Sequence, residues 1–263
     1  MAGPTLEEYE KKYRHVEFHR ENGILEVTLH SNHQSLIWGY EPHEELGFCF
    51  ADIAADHANE VVILTGTGDA FCDTMGPLGH EKIEPAGWAH VYSAAKRLLN
   101  NLLSIEVPII GAVNGPAHIH AELVLLSDIV IAAEHASFRD APHFPSGLVP
   151  GDGVHVLWPQ LLGPNRGRYF MLTGQTLDAR EAMNLGVVSE VLPAAALHNR
   201  ARELAQMVAS RPPLTRRYAR DAMTHQYKRL MNDMLGYGLA LEGLAAADFW
   251  PPRSDFPERQ QEN

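Results

Sequence analysis

The stretch Ser137-Phe-Arg-Asp-Ala-Pro-His-Phe-Pro-Ser-Gly-Leu-Val-Pro-Gly-Asp-Gly153 holds one imidazole, His143, and two carboxylates, Asp140 and Asp152. A histidine backed by a carboxylate is a general-base arrangement, because the carboxylate fixes the tautomer and stabilises the imidazolium. Pro145 and Pro150 restrict φ, and Gly147, Gly151 and Gly153 permit turns, so the loop is ordered without being regular. Either aspartate could orient the ring. The same residues also fit an ordinary surface loop. A second cluster, His118-Ile-His120, puts two imidazoles on one side of an extended segment, which fits a metal pair except that no third ligand follows at a characteristic spacing.

The elements that position these groups alternate. Val16–Arg20 and Ile24–Leu29 flank an Asn22-Gly23 turn and predict a hairpin. Apolar runs at Val61–Thr65, Pro108–Val113 and Ile129–Ala133 predict short buried strands, with a further strand at Val187–Leu192. Helical spacing marks His43–Asp56, Val91–Ile105, Glu122–Leu126, Arg166–Leu172 and Asp178–Asn184. From Ala195 the pattern is almost wholly helical, with a break at Pro212-Pro213 before Leu214–Phe249. Strand and helix in alternation with short connections predict an α/β fold. The expected division is 1–193 as the core, 194–249 as a C-terminal helical region and 250–263 as a loose tail.

Composition narrows the function classes. The chain has 263 residues with 45% apolar content, enough for one large core. Its formal charge of −12 argues against nucleic acid or an anionic membrane as partner. No apolar run is long enough to span a bilayer, and the N-terminus lacks a signal pattern. With two cysteines, Cys49 and Cys72, this predicts a cytoplasmic protein with reduced thiols. Fifteen histidines are many, and composition alone does not say why.

Four segments together resemble the crotonase (enoyl-CoA hydratase/isomerase) superfamily. They are Val62-Ile-Leu-Thr-Gly-Thr-Gly-Asp-Ala-Phe-Cys72, Val107-Pro-Ile-Ile-Gly-Ala-Val-Asn-Gly-Pro-Ala117, Ser127–Phe138, and Leu172–Ala182 followed by Gly186. The resemblance implies ββα units wound as a spiral and a helical C-terminus that packs trimers. Three places depart from it, one being His30-Ser-Asn-His-Gln-Ser-Leu36, which lacks the Asn-Arg-Pro and Asn-Ala elements near the CoA site. Asp73-Thr-Met-Gly-Pro77 and His118-Ile-His-Ala-Glu-Leu123 stand where the family has small residues or glycines that shape a thioester oxyanion hole. Crowding there predicts that the fold is kept and the thioester site is not.

Leu98–Pro108, Pro142-His-Phe-Pro-Ser-Gly147, Val149-Pro-Gly-Asp-Gly153 and Asn165-Arg-Gly-Arg-Tyr169 are similar to the 6-oxocamphor hydrolase-like β-diketone hydrolases, an atypical crotonase branch. That resemblance implies His143 as base, Asp152 as its aspartate, His120 as a second catalytic histidine, and Trp38, His43 and Glu242 against the substrate. Read without it, Trp38 fits a core position, His43 a helix start and Glu242 a solvated helix face. The implied reaction is hydrolytic C–C cleavage of a cyclic 1,3-diketone, without metal, nucleotide or redox cofactor. A trimer or dimer of trimers is the implied assembly. The rival expectations are a CoA-thioester hydratase or isomerase and a non-catalytic crotonase-fold binding protein. Gly76–Trp88 is where substrate identity transfers least.

Overall fold

The computed structural model describes residues 3–77 and 84–249. The expected tail from Trp250 onward, and part of Gly76–Trp88, lie outside the described residues. After a short helix α1 (Leu6–Tyr9), β1 (Val16–Glu21) and β2 (Ile24–Leu29) form the predicted antiparallel hairpin, with Asn22 and Gly23 both at positive φ. The chain continues through β3 (Leu36–Trp38), α2 (Tyr40–Ala55), β4 (Val61–Gly66), β5 (Cys72–Met75) and α3 (Pro85–Ser104). Then come β6 (Ile109–Val113), α4 (Glu122–Leu125), β7 (Ile129–Ala133) and β8 (Ser137–Phe138). A single 3-10 turn (Phe144–Ser146) precedes α5 (Val154–Leu162), α6 (Pro164–Thr173), β9 (Leu177–Asp178) and α7 (Ala179–Asn184). β10 (Glu190–Leu192), α8 (Ala194–Ala209) and α9 (Pro213–Phe249) close the described chain.

The main sheet has the order β1-β2-β4-β6-β7-β10, parallel from β2 onward. A smaller layer is built from β3 paired with β5 and β8 paired with β9, joined by bridges from Ala117 to Cys72 and Phe138. Each winding therefore leaves one strand in the large sheet and one strand, or a single bridge residue, in the small layer. That is the ββα spiral the resemblance implies, present in three dimensions without an internal sequence repeat.

The continuous apolar runs follow from burial on both faces of the main sheet. Val62 and Leu64 of β4 point into the large core, whereas Val61 and Ile63 face α8 with Ile110 and Ile131. α8, the first helix after Pro193, covers that outer face through Leu197, Ala201, Leu204 and Ala205. Val187 and its neighbours up to Ser189 are not strand; pairing to β7 begins only at Glu190. β3, β5 and α5 carry no strong periodic signal, and tertiary pairing decides them.

Asn114 knits two spiral turns together. Its side-chain oxygen accepts from Gly66 N–H at 3.1 Å, and its amide donates to the carbonyls of Gly68 and Ala70 at 2.9 and 3.1 Å. Among the described residues, no helix is long and apolar enough to cross a membrane.

Candidate active site

The six residues singled out in the sequence come from six separate places in the fold. Trp38 ends β3, His43 sits in the first turn of α2, and His120 lies in the turn before α4. His143 precedes the 3-10 turn, Asp152 precedes α5, and Glu242 lies in the last third of α9. All six line one cavity of about 100 Å³.

The loop holding His143 is ordered by its own backbone. The His143 carbonyl accepts from Ser146 N–H at 2.8 Å and Leu148 N–H at 3.0 Å, and Ser146 Oγ donates to the Ala141 carbonyl at 2.9 Å. The C-terminal helix reaches this loop because two glycines let backbone meet backbone. A Cβ on Gly151 would lie 2.3 Å from the Gly238 carbonyl oxygen and 2.8 Å from Glu242 Cβ. A Cβ on Gly238 would strike Gly151 at 2.4 Å. This close approach delivers Glu242 to the imidazole.

The ring of His143 lies among three carboxylates. Nδ1 meets Asp140 Oδ1 at 2.5 Å; Nε2 stands 3.3 Å from Asp152 Oδ2 and 3.7 Å from Glu242 Oε1. Of the two aspartates that the sequence left open, Asp140 is the one hydrogen-bonded to Nδ1. Asp152, the partner implied by resemblance, sits on the opposite edge of the ring, where the cavity is. The physical reason is proximity in the loop: three residues of turn bring Asp140 round to Nδ1, and Asp152 arrives from the start of α5.

The group is almost closed to water: His143 is 3% exposed, Asp140 4%, Glu242 6% and Asp152 7%. Burial works against charging the His143 ring, but the carboxylates of Asp152 and Asp140 outweigh it and hold its pKa well above the usual imidazole value. Burial alone would raise the Asp152 carboxyl, yet His143 and His120 overcome it and hold the group below the usual carboxylate range. Glu242 goes the other way. Burial, reinforced by Asp152 and Asp140 against the opposing pull of His143, pushes it up to about 8. Carboxyls with pKa values pushed apart around one imidazole can store and pass a proton.

His120 carries a partner that the sequence reading left unnamed. Its Nδ1 is hydrogen-bonded to Glu122, which is 0% exposed, and lies 3.6 Å from Asp152 Oδ2. Burial raises the Glu122 carboxyl, with His120 opposing; burial lowers His120, but Glu122 and Asp152 raise it further. Both directions describe one proton held firmly between the two. With that proton on Glu122, or with the ring charged as imidazolium, Nε2 is an N–H for a ligand. The Glu-Leu at the start of α4 was the available signal: a glutamate in a wholly buried helical turn needs a partner.

The backbone of His120 is in the left-handed region, φ 48°. That is glycine's conformation, retained where the family has glycines, and a non-glycine residue there costs roughly 1–2 kcal/mol. The neighbouring amides are committed: His118 N–H and Ile119 N–H both donate to the Cys72 carbonyl, at 2.9 and 3.1 Å. Side chains occupy the place instead. The Trp38 indole packs on His120 with ring centroids 3.9 Å apart. His43 flanks both rings, at 5.5 Å from Trp38 and 5.9 Å from His120, and burial, with His120 adding, lowers its pKa to about 3, so it is neutral.

The His118–His120 metal pair does not form, since His118 Nε2 turns away to Ser137 Oγ at 2.8 Å. His120, Glu122 and Asp152 do have ligand atoms within 4.8 Å of one another, as do Glu17, His30 and His33. A cation in the first group would have to displace the proton shared by His120 and Glu122.

Comparison with known proteins bears on this geometry. The enoyl-CoA hydratase/isomerase family model matches residues 19–237. Carnitinyl-CoA dehydratase of Citrobacter koseri is 32% identical over 200 residues, 76% of each chain. The solved β-diketone hydrolase of the cyanobacterium Anabaena sp. PCC 7120, bound to (S)-3-oxocyclohexyl acetic acid, is 48% identical with a TM-score of 0.90, covering 94% of this chain and 99% of that one. An enoyl-CoA hydratase/isomerase from Mycobacterium paratuberculosis shares the fold at 24% identity, with a TM-score of 0.81 over 89% of this chain and 94% of its own. With most of its length matched by the family model and its spiral shared by these structures, the chain belongs to the enoyl-CoA hydratase/isomerase family.

Proposed function

We propose that the cavity hydrolyses a carbon–carbon bond of a cyclic 1,3-diketone. The observation that carries this reading is the substitution of the family's glycine turn by His120, backed by Glu122 and stacked on Trp38, opposite the carboxylate-held His143. Support comes also from the Anabaena hydrolase, similar over nearly the whole chain and bound to a keto acid.

His143, with Nδ1–H donated to Asp140, takes a proton from water through Nε2. The hydroxide oxygen bonds to one carbonyl carbon. The bond from that carbon to the one between the carbonyls breaks, and its electron pair passes onto the second carbonyl as an enolate. His120 Nε2–H and the Trp38 indole N–H stabilise the enolate oxygen, each such donor contributing about 3 kcal/mol. A proton returns to the enolate carbon, from imidazolium or from Glu242, so diketone plus water gives a keto acid. The proton returned is the one His143 took from water; where Glu242 delivers it, the imidazolium reprotonates Glu242 and both groups are restored.

The test is consumption of cyclic 1,3-diketones against crotonyl-CoA and carnitinyl-CoA. Keto-acid formation with both thioesters untouched is expected. Turnover of a thioester alone overturns the proposal and returns the chain to the chemistry of its curated relatives.

Self-association to a trimer or dimer of trimers belongs to the same proposal. α9 exposes Leu214, Tyr218, Met223, Tyr237 and Leu244, apolar area that an assembly would cover. A monomer by light scattering at micromolar concentration overturns it.

A further inference from the structure

The cavity has two unlike walls. Trp38, His120, His143, Asp152 and Glu242 form the polar one; Trp88, Val91, Pro142 and Leu148 supply hydrocarbon. Trp88 lies at the end of the stretch that the sequence left unassigned, in the first turn of α3. Its indole N–H does not face a ligand. It donates to the Leu239 carbonyl on α9 at 2.8 Å. The side chain therefore offers the cavity a ring without a donor, packed with Leu148 and Ala246.

What seats the indole is a glycine that does not line the cavity. A Cβ on Gly243 would fall 2.3 Å from both Cδ1 and Nε1 of Trp88. Gly243 is inside a long helix, where glycine costs about 1 kcal/mol relative to alanine. The helix gives up that stability and gains room for one aromatic ring.

We infer that Trp88, seated on Gly243, sets the size and polarity of the substrate: a compact alicyclic diketone whose carbon skeleton carries no polar group on the face away from its carbonyls. This rests on the diketone reading and makes it narrower. Among the described residues, the side chains of Trp88, Val91, Pro142 and Leu148 offer no donor or acceptor to a substrate tethered to a polar carrier through that face, and removing the ring opens the wall to bulkier skeletons. Filling the space behind it pushes the ring off α9 and narrows the cavity. Two variants thus act in opposite directions on one property, and the second leaves every residue of the cavity lining unchanged in identity.

The measurement compares kcat/KM for a monocyclic, dimethylated cyclohexane-1,3-dione with that for a bicyclic 1,3-diketone, in wild type, Trp88→Leu and Gly243→Ala. The bicyclic-to-monocyclic ratio is expected to rise about tenfold or more in Trp88→Leu and to fall by a similar factor in Gly243→Ala, the scale of one or two methylenes in an apolar pocket. Gly243→Ala gains helix propensity while displacing the ring, and native circular dichroism of both variants is required before their ratios are compared. A parallel arm needs no turnover: binding of cyclohexanone and of a bicyclic monoketone by calorimetry, with the same order of preference expected. If no diketone is consumed by wild type but ketone binding shifts as stated, the catalytic reading fails and the size determinant stands. If both variants keep the wild-type ratio, in turnover and in binding, Trp88 does not set substrate size.

Discussion

Arg220 and His143 are both basic groups closed off from water, and they are held in contrasting ways. Arg220, 0% exposed on α9, donates through Nε to the Ile105 carbonyl at 2.6 Å and through Nη1 to Asp128 Oδ2 at 2.5 Å. Asp128 in turn accepts from Ile109 N–H at 2.7 Å, so the pair ties α9 to the end of α3 and the start of β6. One nitrogen, Nη2, is left without a protein partner. Around His143 and His120 the balance is different. Among the described residues, Glu122, Asp140, Asp152 and Glu242 each keep one buried oxygen with no hydrogen-bond partner. Unmet acceptors close to two imidazoles are costly to fold around, and they are what a reacting water or substrate can use. The first cluster spends its charges on fixing helices; the second keeps capacity in reserve.

Removing His143 gives the largest change. His143→Ala is expected to lower kcat by about 10³-fold or more while circular dichroism stays native, because the base and proton store are lost. A rate within tenfold of wild type, on a verified substrate, sets His143 aside as base. Arg220→Met should do the reverse. Breaking a buried pair from one side costs about 3–5 kcal/mol, so the urea midpoint should fall steeply while turnover per folded molecule holds. Equal loss of activity and stability there would merge the two clusters.

His120→Asn comes next. Asparagine tolerates the left-handed backbone, but it takes the imidazole from the buried Glu122, so stability should fall by about 1–3 kcal/mol. kcat should fall about 10²-fold with a smaller change in KM, since the enolate charge develops only in the transition state. An unchanged kcat would make His120 structural. The pH profile is the mildest test. Because Asp152 and Asp140 outweigh burial, His143 keeps its proton to higher pH than a free imidazole, and the neutral base appears only above that range. The rate should therefore rise with pH past the ordinary histidine region. In Asp140→Asn the rise should move to lower pH, since one of the groups favouring the proton is gone. A profile that moves upward instead contradicts the Nδ1 assignment.

The sequence determined a good deal without the fold. Hairpin and buried strands were legible because alternation and apolar runs are local consequences of which faces are covered. The six candidate site residues could be named from motif resemblance, and the fold gathers all six in one cavity. Tertiary structure decided the rest, because contact across distant segments leaves no spacing to read. Asp140 and Asp152 look equivalent in the chain, and only the turn at Phe144–Ser146 puts one on Nδ1 and the other on the cavity side. Glu122 read as one more helical residue until its burial against His120 gave it a role. Gly243 and Trp88 are 155 positions apart in number, and nothing in either neighbourhood announces that one makes room for the other. Periodicity reports a face; which atoms meet on that face is settled by how the spiral closes and where α9 returns to it.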